Sequence, residues 1–339
     1  MTFNAGRQSF PLTVTSSVVL VALLFARYFA SPYPAETLSP VGGMPLAEWL
    51  CLWAMSHPVW SDVALVVVVV WSAVIVTMLA TRYVAPTSRN YLSMPVFVIT
   101  ACTVFPPQAL PAYLAAWLLA LSTRQFMQTF RKDPRFTEAF KGGFYLGFIP
   151  LLYAPGAILW LAVPIVANLY RRSARELTTA LVGVVLPVLG VWFVAWATGG
   201  DAWQLFEQWW RAVMTHSGTS LVFSELPTAT LVCGGIVAPL TLIALVWSAK
   251  KRVEMRTRGR KVMTHVWITI VLLLLSFGLP GATFSGLPLL AVALALTVPP
   301  YSFAGRWSVV ASVLYVLLLL ATLAMNALPL LDISIPIIL

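Results

Sequence analysis

The chain reads as an all-α integral membrane protein, a single polytopic domain spanning residues 1–339 with about eleven hydrophobic helices and two outer amphipathic ones. Three observations predict this. Of the 339 residues, 60% are apolar and only 9% carry charge, where a soluble domain carries about a quarter. Apolar runs near the length of a membrane span recur from one end of the chain to the other. Once those runs are threaded, 19 of the 21 Lys and Arg residues fall on one side.

The first apolar run, 11–29, follows Arg7 and has about the 20 residues a span needs. With many spans after it, it reads as an uncleaved first helix rather than a cleaved signal. Residues 62–80, 177–197, 228–248 and 307–326 are also long enough. The rest come as three pairs of short runs: 92–105 with 108–122, 143–154 with 156–169, and 263–278 with 286–299. Pro106-Pro107, Pro155-Gly156 and Gly278-Leu279-Pro280-Gly281 break them. Proline lacks the N–H a helix needs and its ring crowds the preceding turn. A run of 12–16 residues rises about 18–24 Å, short of the roughly 30 Å hydrocarbon core. Each pair therefore crosses a thinned region twice or dips in and returns. Both paths bring it back to the same side, so the sidedness of the other loops is independent of the choice.

With the N-terminus inside, the cytoplasmic loops collect 19 cations and Asp133, Glu138, Glu176 and Glu254. The opposite face holds Arg27 and Arg211 against seven acids: Glu36, Glu48, Asp62, Asp201, Glu207, Glu225 and Asp332. The positive-inside rule then fixes the orientation. The expected location is a bacterial inner membrane, with a cytoplasmic N-terminus and, after eleven segments, a periplasmic C-terminus. The cluster KKRVEMRTRGRK at 250–261 is the strongest anchor.

The same distribution excludes a nucleic-acid partner, because the excess of +10 is dispersed in short loops between spans. The polar stretches are too short for a second domain. Cys51, Cys102 and Cys233 are widely spaced, with no metal or redox pattern. No Walker, HExxH, GxSxG or CxxC motif occurs, and no cofactor or metal site is expected. The middles of the spans carry no Asp, Glu, Lys or Arg, which argues against a cation-coupled pump.

Two outer loops are amphipathic. Leu46, Trp49, Leu50 and Trp53 share one helical face, as do Trp203, Phe206, Trp210 and Val213. Tryptophan suits the interface, being apolar with one N–H to satisfy. Both segments read as helices lying on the membrane surface, either sealing the bundle or roofing an outward-opening site. Such a site for a lipid-linked substrate requires a carboxylate base and a cation for a diphosphate leaving group. The candidate catalytic residues are Glu36, Asp62 and Glu48, and the candidate phosphate-binding residues are Arg27 and Arg211. His57 and His216 are possible helpers. Each has a plainer role open to it: Arg27 snorkelling to headgroups, Arg211 pairing with Glu207 one turn earlier. On the inner face, residues 123–141 mix four phenylalanines with five cations and read as an interfacial segment against anionic lipid. His265 reads as structural.

The stretch 140–198 resembles a family of uncharacterised multi-pass inner-membrane proteins of Bacteroidetes. The resemblance rests on Gly142, Gly143, Gly147, Pro155, Arg175, Glu176, Gly183 and Pro187. The layout is also similar to multi-spanning glycosyltransferases that use polyprenyl-phosphate sugars, whose first outer loop carries an acidic residue or pair beside interfacial helices. Loop 31–61 supplies Glu36 and Glu48, with Asp62 after it, but no adjacent acidic pair. The resemblance implies a glycosyltransferase-like enzyme or polymerase acting on a lipid-linked saccharide at the outer face. Two other readings stand beside it: a non-enzymatic scaffold or accessory subunit of a cell-envelope assembly or secretion complex, and a lipid or small-molecule transporter or flippase. The partners expected are membrane lipids, a polyprenyl-linked substrate, and protein partners in an envelope complex.

The threading predicts that alkaline phosphatase fused after Leu339 is active and that a fusion after Lys251 is inactive. The reverse pattern of activities contradicts the orientation.

Overall fold

The structure, a computed structural model, describes residues 10–30, 44–84, 91–104, 110–129, 135–214, 228–255, 257–283, 286–303 and 307–330. Among these residues there is no strand. The helices in order are α1 (Phe10–Ala30), α2 (Pro45–Ser56), α3 (Pro58–Leu79), α4 (Ser93–Ile99), α5 (Leu110–Gln128), α6 (Phe136–Leu152), α7 (Ala162–Leu169), α8 (Ala174–Ala197), α9 (Ala202–Met214), α10 (Thr228–Lys251), α11 (Thr257–Phe277), α12 (Leu287–Ser302) and α13 (Ser308–Leu330). Single π-helical turns extend α3 over Ala80–Val84 and α4 over Thr100–Val104. A 3₁₀ segment, Ala154–Leu161, leads into α7.

Among the described residues, five stretches are long and apolar enough to cross a membrane: Pro58–Val84, Ala174–Ala197, Leu231–Lys251, Thr257–Phe277 and Ser308–Ala327. That is fewer than the eleven hydrophobic segments threaded from the sequence. The apolar stretches Ser93–Cys102, Ala154–Leu169 and Leu287–Ser302 are shorter. One short run grows into a full span. The sequence reading started the third pair at 263, but α11 begins at Thr257 because Arg258, Arg260 and Lys261 occupy its polar first turns. Likewise α5 and α6 extend to Gln128 and from Phe136, turning both ends of the predicted interfacial segment 123–141 into helix.

Helix α12 is central. It is apolar on every side, and Pro288, Leu289 and all of Ala291–Ser302 are buried, as expected of a helix hydrophobic all round. It packs against α10, α5, α4 and α11. The Tyr301 hydroxyl donates to Val84 O (3.3 Å) and Ser302 Oγ to Leu240 O (3.0 Å), tying the end of α12 to α3 and α10. The main apolar core runs without a break in contact from Leu20 to Met325.

The most extensive helix pairing joins α6 to α8. A Cβ added at Gly143 would overlap the Ala180 carbonyl oxygen, and one at Gly147 the Val184 carbonyl oxygen. From the other side, a Cβ at Gly183 would sit 2.5 Å from Phe140 O. Lipid tails are as apolar as leucine, so membrane helices associate through close packing, and small residues permit it. Ser122 Oγ donates to Gly142 O (2.8 Å), adding α5 to the same stack. Gly143, Gly147 and Gly183 are therefore explained by helix packing.

Replacing Gly143 or Gly183 by alanine is expected to lower stability by roughly 1–3 kcal/mol, the usual range for overpacking. Gly190 has nothing within 4 Å of an added Cβ, so Gly190→Ala is expected to be neutral or slightly stabilising. Thermal unfolding in detergent distinguishes them, and equal effects at the three positions contradict the backbone-contact account.

Candidate functional site

Two ends of the bundle carry the polar chemistry. At the first, α2 and α9 converge over the breaks in two hairpins. Met44, Ala47, Ala154 and Val213 form a small buried cluster, with Trp209, Ala212 and Leu279 packed on it. Proline explains the first stitch. Pro150 has no N–H for Leu146 O, and Trp160 Nε1 donates to that carbonyl instead (3.2 Å). Pro150 O lies in the last turn of α6, where carbonyls lack a helical partner. It accepts from Trp209 Nε1 of α9 (3.2 Å). Val213 O, in the last turn of α9, accepts from the Gly281 N–H (3.1 Å). The approach is so close that a Cβ on Gly281 would overlap Ala212 O. The Trp160 and Trp209 rings stack at 6.4 Å, and Phe206 meets Trp192 edge-on at 5.3 Å.

Both amphipathic helices form, and each packs through part of the expected face: Leu46, Leu50 and Trp53 on α2, Phe206 and Val213 on α9, while Trp49, Trp203 and Trp210 are exposed. Helix α2 buries Met44, Ala47 and Cys51 along one stripe, and Trp49 is 62% exposed. Helix α9 packs through Phe206, Trp209 and Val213, leaving Trp203 72% exposed. Small Ala47 and Cys51 sit at the close approaches on α2, and the exposed indoles Trp49, Trp203 and Trp210 suit the interface.

The predicted site residues divide accordingly. Glu48 lies on α2 and Asp62 near the start of α3, both half-buried. Burial raises the Cys51 thiol pKa from its ordinary value, and the charge of nearby Glu48 adds to the effect. Arg211 and Glu207 form an exposed ion pair at 2.6 Å, the plainer role the sequence allowed. His57 closes α2 and opens α3, with Nδ1 2.8 Å from Ser56 Oγ. Arg27 lies within α1, its side chain outside the described structure, and Glu36 and His216 lie outside the described residues. Among the described residues, no three His, Cys, Asp or Glu side chains gather as metal ligands.

The other end is basic. Ser173 and Glu176 form a capping box at the start of α8: Ser173 Oγ accepts from Glu176 N (3.3 Å) and Glu176 Oε2 accepts from Ser173 N (3.2 Å). Oε1 accepts from the Arg135 backbone N–H (2.9 Å) and faces Arg172 Nη1 at 3.4 Å. Arg135 in turn bonds Glu138. Glu176 is only 5% exposed, so its charge is tolerated through these four groups. Beside it, His265 Nδ1 lies 2.8 Å from the Tyr170 hydroxyl, in a buried pair. A cleft of about 300 Å³, open mouth included, is lined by Phe126, Thr129, Val166, Tyr170, Arg172 and Glu176. It has room for about one water molecule, which is too small for a substrate. The sequence reading singled out Glu176 for its resemblance and His265 as structural, but did not connect the two regions. A serine three residues before a glutamate at a helix start was the available signal.

Glu176→Ala is expected to cost roughly 2–3 kcal/mol, from a lost cap and stranded donors. Glu207→Ala is expected to cost less than about 1 kcal/mol, since its pair is exposed. Unfolding of both variants in detergent tests this, and equal losses contradict the difference in burial. Comparison with protein-family models, curated proteins and solved structures finds no match for the chain.

Proposed function

We propose that the protein is a multi-pass component of a bacterial inner membrane that acts at its outer face on a lipid-linked saccharide, as a glycosyltransferase-like enzyme or polymerase. The observation that carries this reading is the roof: α2 and α9 stitched over two broken hairpins, at the end to which the charge asymmetry assigns seven acids. A lipid-linked substrate presents its sugar at the headgroup layer, where exposed Trp49 and Trp203 belong. In the transfer, a carboxylate (Glu36, Glu48 or Asp62) takes the acceptor hydroxyl proton. The acceptor oxygen then bonds the sugar's anomeric carbon as the bond to the diphosphate breaks. Arg27 and Arg211 hold the departing diphosphate. Arg211 must leave Glu207 to do so, at a cost below about 1 kcal/mol for an exposed pair.

A second reading, a scaffold or accessory subunit of an envelope complex, is favoured by α8. Its α6 face is tightly packed, while Val182, Leu186, Leu189, Phe193 and Trp196 are exposed. A protein partner and lipid would both cover that face.

The test is the purified chain in vesicles, given a polyprenyl-diphosphate sugar and a saccharide acceptor, with released polyprenyl diphosphate measured. Turnover is expected, with at least one of Glu36→Gln, Glu48→Gln and Asp62→Asn lowering it about a hundred-fold or more. Absence of turnover, or turnover unchanged in all three variants, overturns the enzymatic reading.

A further inference from the structure

Helix α3 carries an indole at a depth where acyl chains offer it no partner. Within the span Pro58–Val84, the charged residues are Asp62 and Arg82, and Trp71 stands nine residues from the first and eleven from the second. At the helical rise these separations are roughly 14 and 17 Å. The two charges thus bracket a hydrocarbon core of about 30 Å, with Trp71 near its middle. Trp71 is 59% exposed, and among the described residues nothing accepts from its N–H. The other exposed tryptophans avoid this depth. Trp60, Trp196 and Trp307 sit at or beside helix ends, and Trp49, Trp203 and Trp210 lie on the amphipathic α2 and α9. Tryptophan favours the interface because its N–H needs an acceptor. Hydrocarbon supplies none, whereas a protein neighbour does. The exposed face of α8 makes no such demand, since Trp196 is one residue from the helix end.

The face around Trp71 indicates which neighbour. Trp60, Val63, Val67, Val70, Trp71 and Met78 are exposed and fall within about a 100° arc of α3. The opposite side, with Val69, Ala73 and Val76, is buried in the bundle. Trp60, Val67 and Val74 recur every seven residues, as do Val63 and Val70. That repeat is the spacing by which one helix packs along another of the same kind, and valine at its first position favours two parallel strands. Copies of one chain inserted in one orientation present α3 in parallel. A two-fold axis along the membrane normal then sets the same patch of each against the other. The two Trp71 rings meet near that axis, where each N–H can donate to the other indole face. We propose that α3 is the contact through which two copies of this chain pair within the membrane. The proposal rests on the chain spanning a membrane, and not on the enzymatic reading of its outer face.

Oxidative cross-linking of the full chain in vesicles, with copper-phenanthroline and one cysteine added at a time, tests it. Cys51, Cys102 and Cys233 are buried, so an added surface cysteine dominates the reaction. Val67→Cys is expected to yield a covalent dimer of the chain, and Val182→Cys on the exposed face of α8 little or none. In single-molecule photobleaching of labelled wild type, two-step traces are expected to give way to one-step traces as the protein is diluted in lipid. Trp71→Phe keeps an aromatic ring without the N–H, and is expected to move that transition to several-fold higher protein density. One-step traces at every density, or cross-linking as efficient at position 182 as at position 67, overturn the pairing. A transition unmoved by Trp71→Phe overturns the role given to the indole. A Val67→Cys adduct with a different protein in whole cells, in place of the dimer, overturns the assignment of the face to a second copy.

Discussion

A backbone amide or carbonyl that leaves its helix within hydrocarbon must find a partner inside the protein, because no water is there to replace it. This constraint organises the structure. The chain interrupts its helices with proline and glycine, and three of the backbone groups concerned are answered from elsewhere. Trp160 Nε1 serves the carbonyl that Pro150 leaves open, Trp209 Nε1 serves Pro150 O, and the Gly281 N–H serves the end of α9. Helix α9 is thus more than an amphipathic segment resting on a surface. It completes the hydrogen bonding of one break and takes its own completion from another.

Close approach is the second consequence. A donor reaches a carbonyl on a neighbouring element only when backbones come within side-chain length, and this explains why glycines stand where they do. Gly281 lies against Ala212 O, and Gly143, Gly147 and Gly183 bring α6 and α8 into contact. The same closeness explains the small residues Ala47 and Cys51 on the packed face of α2. Large side chains at these places would separate elements that must touch.

Much of the fold was legible because hydropathy and proline report local facts. The break at Pro155-Gly156, the amphipathic helices before Asp62 and after Asp201, and the segregation of Arg82, Arg135, Arg172 and Arg258 from Glu48 and Asp62 all follow from sequence position. What was not legible depends on three-dimensional packing. Hydrophobicity grouped Trp49 with Leu46, Leu50 and Trp53, and Trp203 with Phe206 and Val213, but it could not say which members pack: Trp49 and Trp203 are exposed while Ala47, Cys51 and Trp209 take part in the packing. The start of α11 was missed because charged residues look like loop, although arginine and lysine extend a helix comfortably at a membrane edge. In the candidate site, the Arg211–Glu207 pair was readable from its four-residue spacing. The approach of Arg258 to the Tyr83 ring was not, since 174 intervening residues separate them.

The arginines show why position outweighs residue type. Arg211 has its counter-charge one turn away on the same exposed helix, so its local field is largely cancelled and screened by solvent. Arg172 is mostly buried beside Glu176, in a network whose removal would strand donors at the start of α8. Arg82 and Arg258 are exposed, their guanidinium carbons 5.7 and 6.0 Å from the centre of the Tyr83 ring. An exposed cation with a partner on its own helix needs nothing further, and a buried one serves the fold.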